Sequence, residues 1–250
     1  MRSVSFDRVA DTYDETRGGL ERGGGLARAI ARHLRPGPVV EIGVGTGAVA
    51  LPLRESGHPV VGVDLSAPML RRAHERLGAR LAVGDAYHLP VLSDAVPNAV
   101  IVWVLQLVPD IPALLAEARR ILAADGRLVV VPAGGQLLVD DDIERIMRPV
   151  HLALRPPRDT PDQVVDAAGG AGLRLVDRST ASTEPWLTSP EEQAQGMEAR
   201  NWSTLWDIPD DRWQALVEPA IAALRALPES DRPRERRARY DILTFGPVRH

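Results

Sequence analysis

Three glycines at alternate positions, Gly43, Gly45 and Gly47, stand between an apolar run and a helical pattern in VVEIGVGTGAVALPL, Val39–Leu53. A strand that stops on glycine and turns straight into a helix brings bare backbone N–H groups to one point. With no Cβ in the way, a ligand can lie directly against the turn. A tight turn without a ligand does not need three such residues. In open α/β sheets this point lies at the carboxyl ends of the strands, where the strand order reverses. The segment therefore predicts a nucleotide-binding crevice on a sheet.

The surrounding chain fits that sheet. Val39–Val44, Pro59–Asp64, Arg80–Gly84, Ala99–Leu105 and Arg127–Val131 are short, nearly continuous apolar runs. Strands buried on both faces of a parallel sheet read this way. Helical patterns separate them at Gly47–Ser56, at Ala67–Leu77 with Ser66 as N-cap and Pro68 in the first turn, and at Ile111–Ala124, ended by Asp125-Gly126. This alternation predicts a doubly wound α/β sheet. Beyond Val131 the rhythm changes. Asp140–Leu154 and Thr160–Ala171 read as helices, Leu173–Asp177 and Tyr240–Val248 as strands, and Ser189–Leu227 as two or more helices. Pro228–Arg239, PESDRPRERRAR, reads as a solvated charged connector, because acids interrupt its basic run.

Composition narrows the chemistry. The chain has 250 residues, a net charge of −4 and 44% hydrophobic residues. That charge gives no reason to expect a nucleic-acid partner. No apolar stretch approaches the length needed to span a bilayer, and the polar N-terminus does not read as a signal or transit peptide. A cytoplasmic protein with no membrane partner, monomer or homodimer, is expected. There is no cysteine and no lysine. Disulfides, thiolate metal sites, cysteine nucleophiles and lysine bases are therefore excluded, and no metal site is expected.

The glycines alone leave the ligand open between a dinucleotide and another adenosine compound. Asp64 ends the second strand about twenty residues on, where a carboxylate can accept both ribose hydroxyls. Gly84-Asp85-Ala86 ends the third. A carboxylate there can accept from an adenine amino group, and the next N–H can donate to the ring.

Taken together, Glu41-Ile-Gly-Val-Gly-Thr-Gly47, Val63-Asp64-Leu-Ser-Ala-Pro-Met69, Gly84-Asp85-Ala86, Val104-Leu105 and Ile121–Leu128 resemble the class I S-adenosylmethionine-dependent methyltransferases, small-molecule type. The resemblance is dense from Val39 to about Pro132. It extends to Phe6–Asp14, similar to a segment that closes over the cofactor in many members. It implies a Rossmann-like, seven-stranded, mostly parallel sheet with helical cap insertions. The chain is then one domain: 1–35 N-terminal helices and lid, 36–135 cofactor-binding core, 136–160 and 185–235 cap insertions. It implies S-adenosylmethionine as cofactor and methyl transfer to a small-molecule acceptor. Gly43, Gly45 and Gly47 would lie under the methionine and ribose, and Glu41 would hold that loop and the ammonium region. Asp64 would take the ribose hydroxyls. Leu65 and Met69 would sandwich the adenine, with Asp85 and Ala86 at its edge. Tyr13 and Arg17 would cover the methionine tail, and the backbone at Val102 would meet the ammonium. Where relatives often carry two histidines, this chain has Gln106-Leu107.

Methyl transfer from a sulfonium needs positioning and exclusion of water, and a base only if the acceptor must lose a proton. His151, on the helix after the fifth strand, is the candidate base; His33, His58, His74, His88 and His250 have less context. The acceptor pocket is expected from the N-terminal segment, Asp140–Leu154 and Ser189–Trp213. Trp202 and Trp206, four apart on one helix face, would wall it or form the cap's own core. Phe6–Arg17 reads as a lid whose acids and arginines face water around an apolar stripe of Phe6, Val9, Ala10 and Tyr13. Two other readings remain: a methyltransferase-like scaffold or cyclase that binds the cofactor without transfer, and an NAD(P)-dependent oxidoreductase, which would lack a Tyr-x-x-x-Lys pair.

Overall fold

The computed structural model describes residues 6–138 and 141–248, with Arg17 described in its backbone only. The chain divides into two compact units, Met1–Gly135 with Arg158–Thr183 and Tyr240–His250, and Gln136–Pro157 with Glu184–Arg239.

The first unit is built on a twisted sheet. Its strands are β1 Val39–Ile42, β2 Val60–Asp64, β3 Leu81–Val83, β4 Val96–Val102 and β5 Leu122–Val131, then, after the short β6 Gln136–Leu137 of the second unit, β7 Leu173–Ser182. The last strand of the chain, β10 Ala238–Pro247, completes it. The order is β3-β2-β1-β4-β5-β10, with β7 also on β10. β1 pairs in parallel with β2 and β4, and β10 runs antiparallel to β5. The doubly wound, mostly parallel α/β architecture expected from the alternation is what forms. The order reverses between β1 and β4, so their carboxyl ends open a crevice.

All four residues of β1 are buried, as a central strand requires. One face of the sheet packs Val40, Ile42, Ala99, Ile101, Leu128 and Val130 against the apolar stripes of two helices, α5 Ile111–Ile121 and α7 Pro161–Gly170. Elsewhere on the sheet, α3 Ala50–Glu55 and α4 Ala67–Leu77 pack on β2, α2 Gly19–Ala31 packs on α3 and β7, and α1 Tyr13–Arg17 packs on α2. Ser66 caps α4, its Oγ accepting from the Met69 N–H at 3.2 Å.

Several boundaries differ from the sequence reading: the fourth strand is Val96–Val102, not Ala99–Leu105, and two helix ends shift. α5 stops at Ile121, not Ala124, because β5 already begins at Leu122. Val96 pairs with Leu122 and Asn98 with Arg127, so Ala123–Gly126 bulge out of the ladder. The helix after β1 starts only at Ala50, since the glycine loop uses the residues before it.

The second unit has its own core. Ile143, Met147 and Val150 on α6 Asp142–Leu154 pack with Ala194 and Met197 on α8 Pro190–Glu198 and Ile221 and Leu224 on α10 Glu218–Arg225. A short helix, α9 Asp210–Arg212, and a π-helical turn Trp213–Val217 lead into α10. The ribbon of β8 Trp186–Thr188 and β9 Arg234–Arg236 is antiparallel. β9 corrects the reading of Pro228–Arg239 as a solvated connector. Arg236 is only 5% exposed and pairs with Asp141 at 2.9 Å and Glu144 at 3.0 Å at the start of α6. Trp202 and Trp206 do not share a helix face: Ser203–Leu205 between them is a 3-10 turn. Trp206 is buried, donates its indole N–H to Arg200 O at 2.8 Å, and Trp202 packs on the unit's core.

Candidate cofactor and active site

A cleft of about 780 Å³, open space at its mouth included, lies at the carboxyl ends of β1, β2 and β4. Its walls come from Gly43 and Gly45 after β1, Asp64 and Leu65 after β2, Met69 on α4, Asp85 and Ala86 after β3, and Val102 to Val104 after β4. Phe6 and Tyr13 contribute from the N-terminal segment.

The loop conformation explains its glycines. At Gly43 φ is +77°, and a Cβ would stand 2.3 Å from Val104 Cγ2. At Gly45 φ is +55°, yet a Cβ would meet only Met69 Cε at 3.5 Å, because this residue faces the open cleft. The first is glycine for packing, the second for backbone conformation and for what lies in the cleft. Gly47 does not line the cleft; a Cβ there would press on Leu77 at 3.1 Å.

Asp64 ties the loop to β2. Its Oδ2 accepts from the Gly45 N–H at 2.8 Å and its Oδ1 from the Ser66 N–H at 2.8 Å. Burial pushes its carboxyl above the usual range, while the Ser66, Gly45 and Leu65 N–H groups pull it back. Glu41 does not hold the loop, as the resemblance implied. It sits 2% exposed in β1, its Oε2 without a hydrogen-bond partner among the described residues, and it is not among the cleft's lining residues. Burial, then the nearby charge of Asp64, raises its pKa from 4.5 to about 8.

Asp85 lines the cleft and also accepts from the Tyr87 N–H at 3.0 Å, closing the turn after β3. Met69 is 3% exposed, and Leu65, at 43%, stands at the rim. Tyr13 meets Phe6 edge to face, centroids 5.6 Å apart. The Arg17 side chain lies outside the described residues. His151 is on α6 in the second unit, its ring 6.1 Å from that of Trp202, and is not among the lining residues.

The N-terminal segment is tied down through three of its acids, although Asp11 faces water as expected, 92% exposed in its side chain. Asp7 accepts from Ser66 Oγ at 2.5 Å, Asp11 from Arg72 at 3.0 Å, and Asp14 from Thr46 Oγ1 at 2.7 Å and from Arg76. Thr46 belongs to the glycine loop, so Asp14 joins loop, α4 and segment.

Sequence reasoning missed Trp103. It follows β4 with φ +57°, a left-handed conformation that is costly for a bulky residue. Its position beside Val102, at the end of a central strand, was the available signal. It lines the cleft with Val104, Leu107 and Val108.

A family model described as "Methyltransferase domain" matches residues 40–130. A demethylmenaquinone methyltransferase of Mycobacterium marinum is 38% identical over 50% of the chain, which spans 56% of that enzyme's length. Nocamycin O-methyltransferase of Saccharothrix syringae is 31% identical over 88% of this chain and 90% of its own. The structure of a Haemonchus contortus phosphoethanolamine N-methyltransferase with S-adenosylhomocysteine shares the fold, with a TM-score of 0.57 at 19% identity over 98% of this chain and 58% of that one. A match running nearly end to end on a crevice of this construction settles the class: the chain belongs to the S-adenosylmethionine-dependent methyltransferases. No helix of the described residues is long and apolar enough to cross a membrane.

The cleft fits that cofactor. Gly45 leaves bare backbone on the open side, Asp64 presents a carboxylate between loop and α4, and Leu65 and Met69 supply apolar walls.

Proposed function

We propose that the protein transfers a methyl group from S-adenosylmethionine to a small-molecule acceptor. One observation carries the reading: a single cleft runs from the polar residues after β2 and β3 to the apolar residues after β4. The first end suits an adenosine, the second an acceptor. In this reading Asp64 takes the ribose hydroxyls, Leu65, Met69, Asp85 and Ala86 surround the adenine, and Gly43 and Gly45 underlie the methionine, with Val102 near its ammonium. Bound there, the cofactor supplies a methyl carbon on a sulfonium whose leaving group is a neutral thioether. Phe6 and Tyr13 then close the wall and keep water out. A small acceptor is supported by the near full-length relative, named for O-methylation of nocamycin, and by a net charge of −4, which gives nucleic acid no electrostatic footing.

Calorimetry with S-adenosylhomocysteine and with NADH, followed by incubation with methyl-labelled cofactor and a metabolite panel, tests this. Micromolar binding of the homocysteine compound, roughly −8 kcal/mol, and label on a small molecule are expected. Binding without transfer to any acceptor would favour the scaffold reading; NADH binding alone would remove the methyltransferase reading.

A further inference from the structure

Trp103 is the centre of a cluster within the first unit. The Arg22 guanidinium lies over its ring, 4.0 Å from the centroid. The Tyr240 ring is 5.3 Å away, and Arg22 Nη2 donates to Tyr240 Oη at 2.5 Å. Tyr240 is itself pressed onto Gly135, where a Cβ would stand 2.3 Å from Cε1. Ring, cation and hydroxyl therefore hold one another, and of the three residues Trp103 lines the cleft.

Two features of the cluster are unexplained by packing. Arg22 is half-buried, and among the described residues it has no carboxylate partner. Among the described residues its side chain donates to the Tyr240 hydroxyl alone. The indole N–H of Trp103 is buried and has no acceptor among the described residues. Buried donors are normally paired, and a stacked guanidinium without a counter-ion is a ready anion receptor. The lining residues beside them, Val104, Leu107 and Val108, are apolar.

Among the described residues the cleft also holds no suitable base. Tyr13, Asp64 and Asp85 are its ionisable lining residues, and the two acids belong to the adenosine end. Among the described residues no histidine lines it to take a proton from an acceptor.

We propose that the Arg22–Trp103–Tyr240 cluster is the acceptor-recognition site, and that the acceptor is an oxygen acid with an apolar body, a carboxylate or an enolate, that binds already ionised. This rests on the methyltransferase reading above. The anionic oxygen forms the new bond to the methyl carbon as the sulfur–carbon bond breaks, and that bonding pair stays on sulfur. The oxygen loses its negative charge, the sulfonium its positive charge, and no proton moves. The apolar body lies on Val104, Leu107 and Val108.

The test needs no known substrate. Calorimetry first establishes that wild type, Arg22→Met and Arg22→Lys bind S-adenosylhomocysteine, which also shows them folded. The loaded proteins are then titrated with monocarboxylates, from short alkyl to bicyclic aromatic, each beside its primary amide. Wild type should prefer the carboxylate of at least one pair by about tenfold or more. Arg22→Met should abolish that preference, and Arg22→Lys should restore part of it. With methyl-labelled cofactor, label should reach carboxylic acids or enols rather than primary amines. No carboxylate preference in any pair, a preference that survives Arg22→Met, or label confined to amines overturns the proposal and leaves the methyltransferase reading standing. If wild type fails to bind S-adenosylhomocysteine, both fall together.

Discussion

Glu41 should make the cofactor-free protein lose stability as pH rises, and Glu41→Gln should remove that loss. The carboxyl is 2% exposed, its Oε2 has no partner among the described residues, and burial raises its pKa to about 8 against 4.5 for an ordinary glutamate. Below the unfolded value both states hold the proton, and nothing is lost. Between the two values the unfolded chain releases its proton while the folded one keeps it. Stability therefore falls by up to about 1.4 kcal/mol per pH unit. The fall levels off near pH 8, where the folded group ionises too. Over the full window the cost approaches 5 kcal/mol, and by pH 7 roughly 3 kcal/mol of it is spent. Asp64 is shifted in the same direction and gives both proteins a common slope. The difference between variant and wild type therefore isolates Glu41. Urea unfolding of both, without cofactor, from about pH 5 to 9, measures it. The stability gap should widen by about 3–5 kcal/mol in favour of glutamine across that range. Parallel curves would show that Glu41 is ionised in the folded protein at neutral pH, and the account of its burial would be wrong.

Asp64→Ala should weaken S-adenosylhomocysteine binding by about 1–3 kcal/mol; unchanged calorimetric affinity in a folded variant would remove the ribose from that carboxylate. Gly43→Ala should lower stability by about 1–3 kcal/mol, because its Cβ meets Val104 Cγ2 at 2.3 Å. Gly45→Val, by contrast, should stay folded in a thermal melt yet fail to bind, since its side chain enters the cleft. Asp14→Asn should weaken the tie among Thr46, Arg76 and the segment by about 1 kcal/mol, read as faster hydrogen exchange in residues 7–17; unaltered exchange would show the contact to be idle. Arg236→Met should cost the second unit about 3–5 kcal/mol in urea, because Asp141, 9% exposed in its side chain, loses its cation; a neutral result would return Pro228–Arg239 to the status of a solvated connector.

What was legible in the sequence was local. Gly43, Gly45, Asp64 and Met69 lie within one strand–loop–strand–helix run, and backbone geometry alone brings them to one point. β1, β4 and β5 announced themselves because strands buried on both faces carry no polar alternation. The end of α5 was not legible. Leu122-Ala-Ala suits a helix, and only pairing of Leu122 with Val96 pulls it into the sheet. Trp103 needed its partners: Arg22 and Tyr240 are distant in sequence on either side, and nothing in either neighbourhood points to an indole.

The acids of the N-terminal segment show why charge pattern misleads at such places. Asp7, Asp11 and Asp14 recur at helical spacing, and by composition that is a solvated face. A face is solvated only if nothing complementary meets it. Ser66, the N-cap of α4, and Arg72 and Arg76, four apart on it, supply the partners, and Arg76 also donates to Thr46 O at 2.9 Å in the glycine loop. Two polar stripes, each unremarkable alone, thus make one interface. Its consequence is functional. Phe6 and Tyr13 ride on the same segment and form part of the cleft wall. The wall's position therefore depends on charges that face away from it. Of the apolar stripe, Phe6 and Tyr13 are the residues that reach the cleft, while Ala10 is buried.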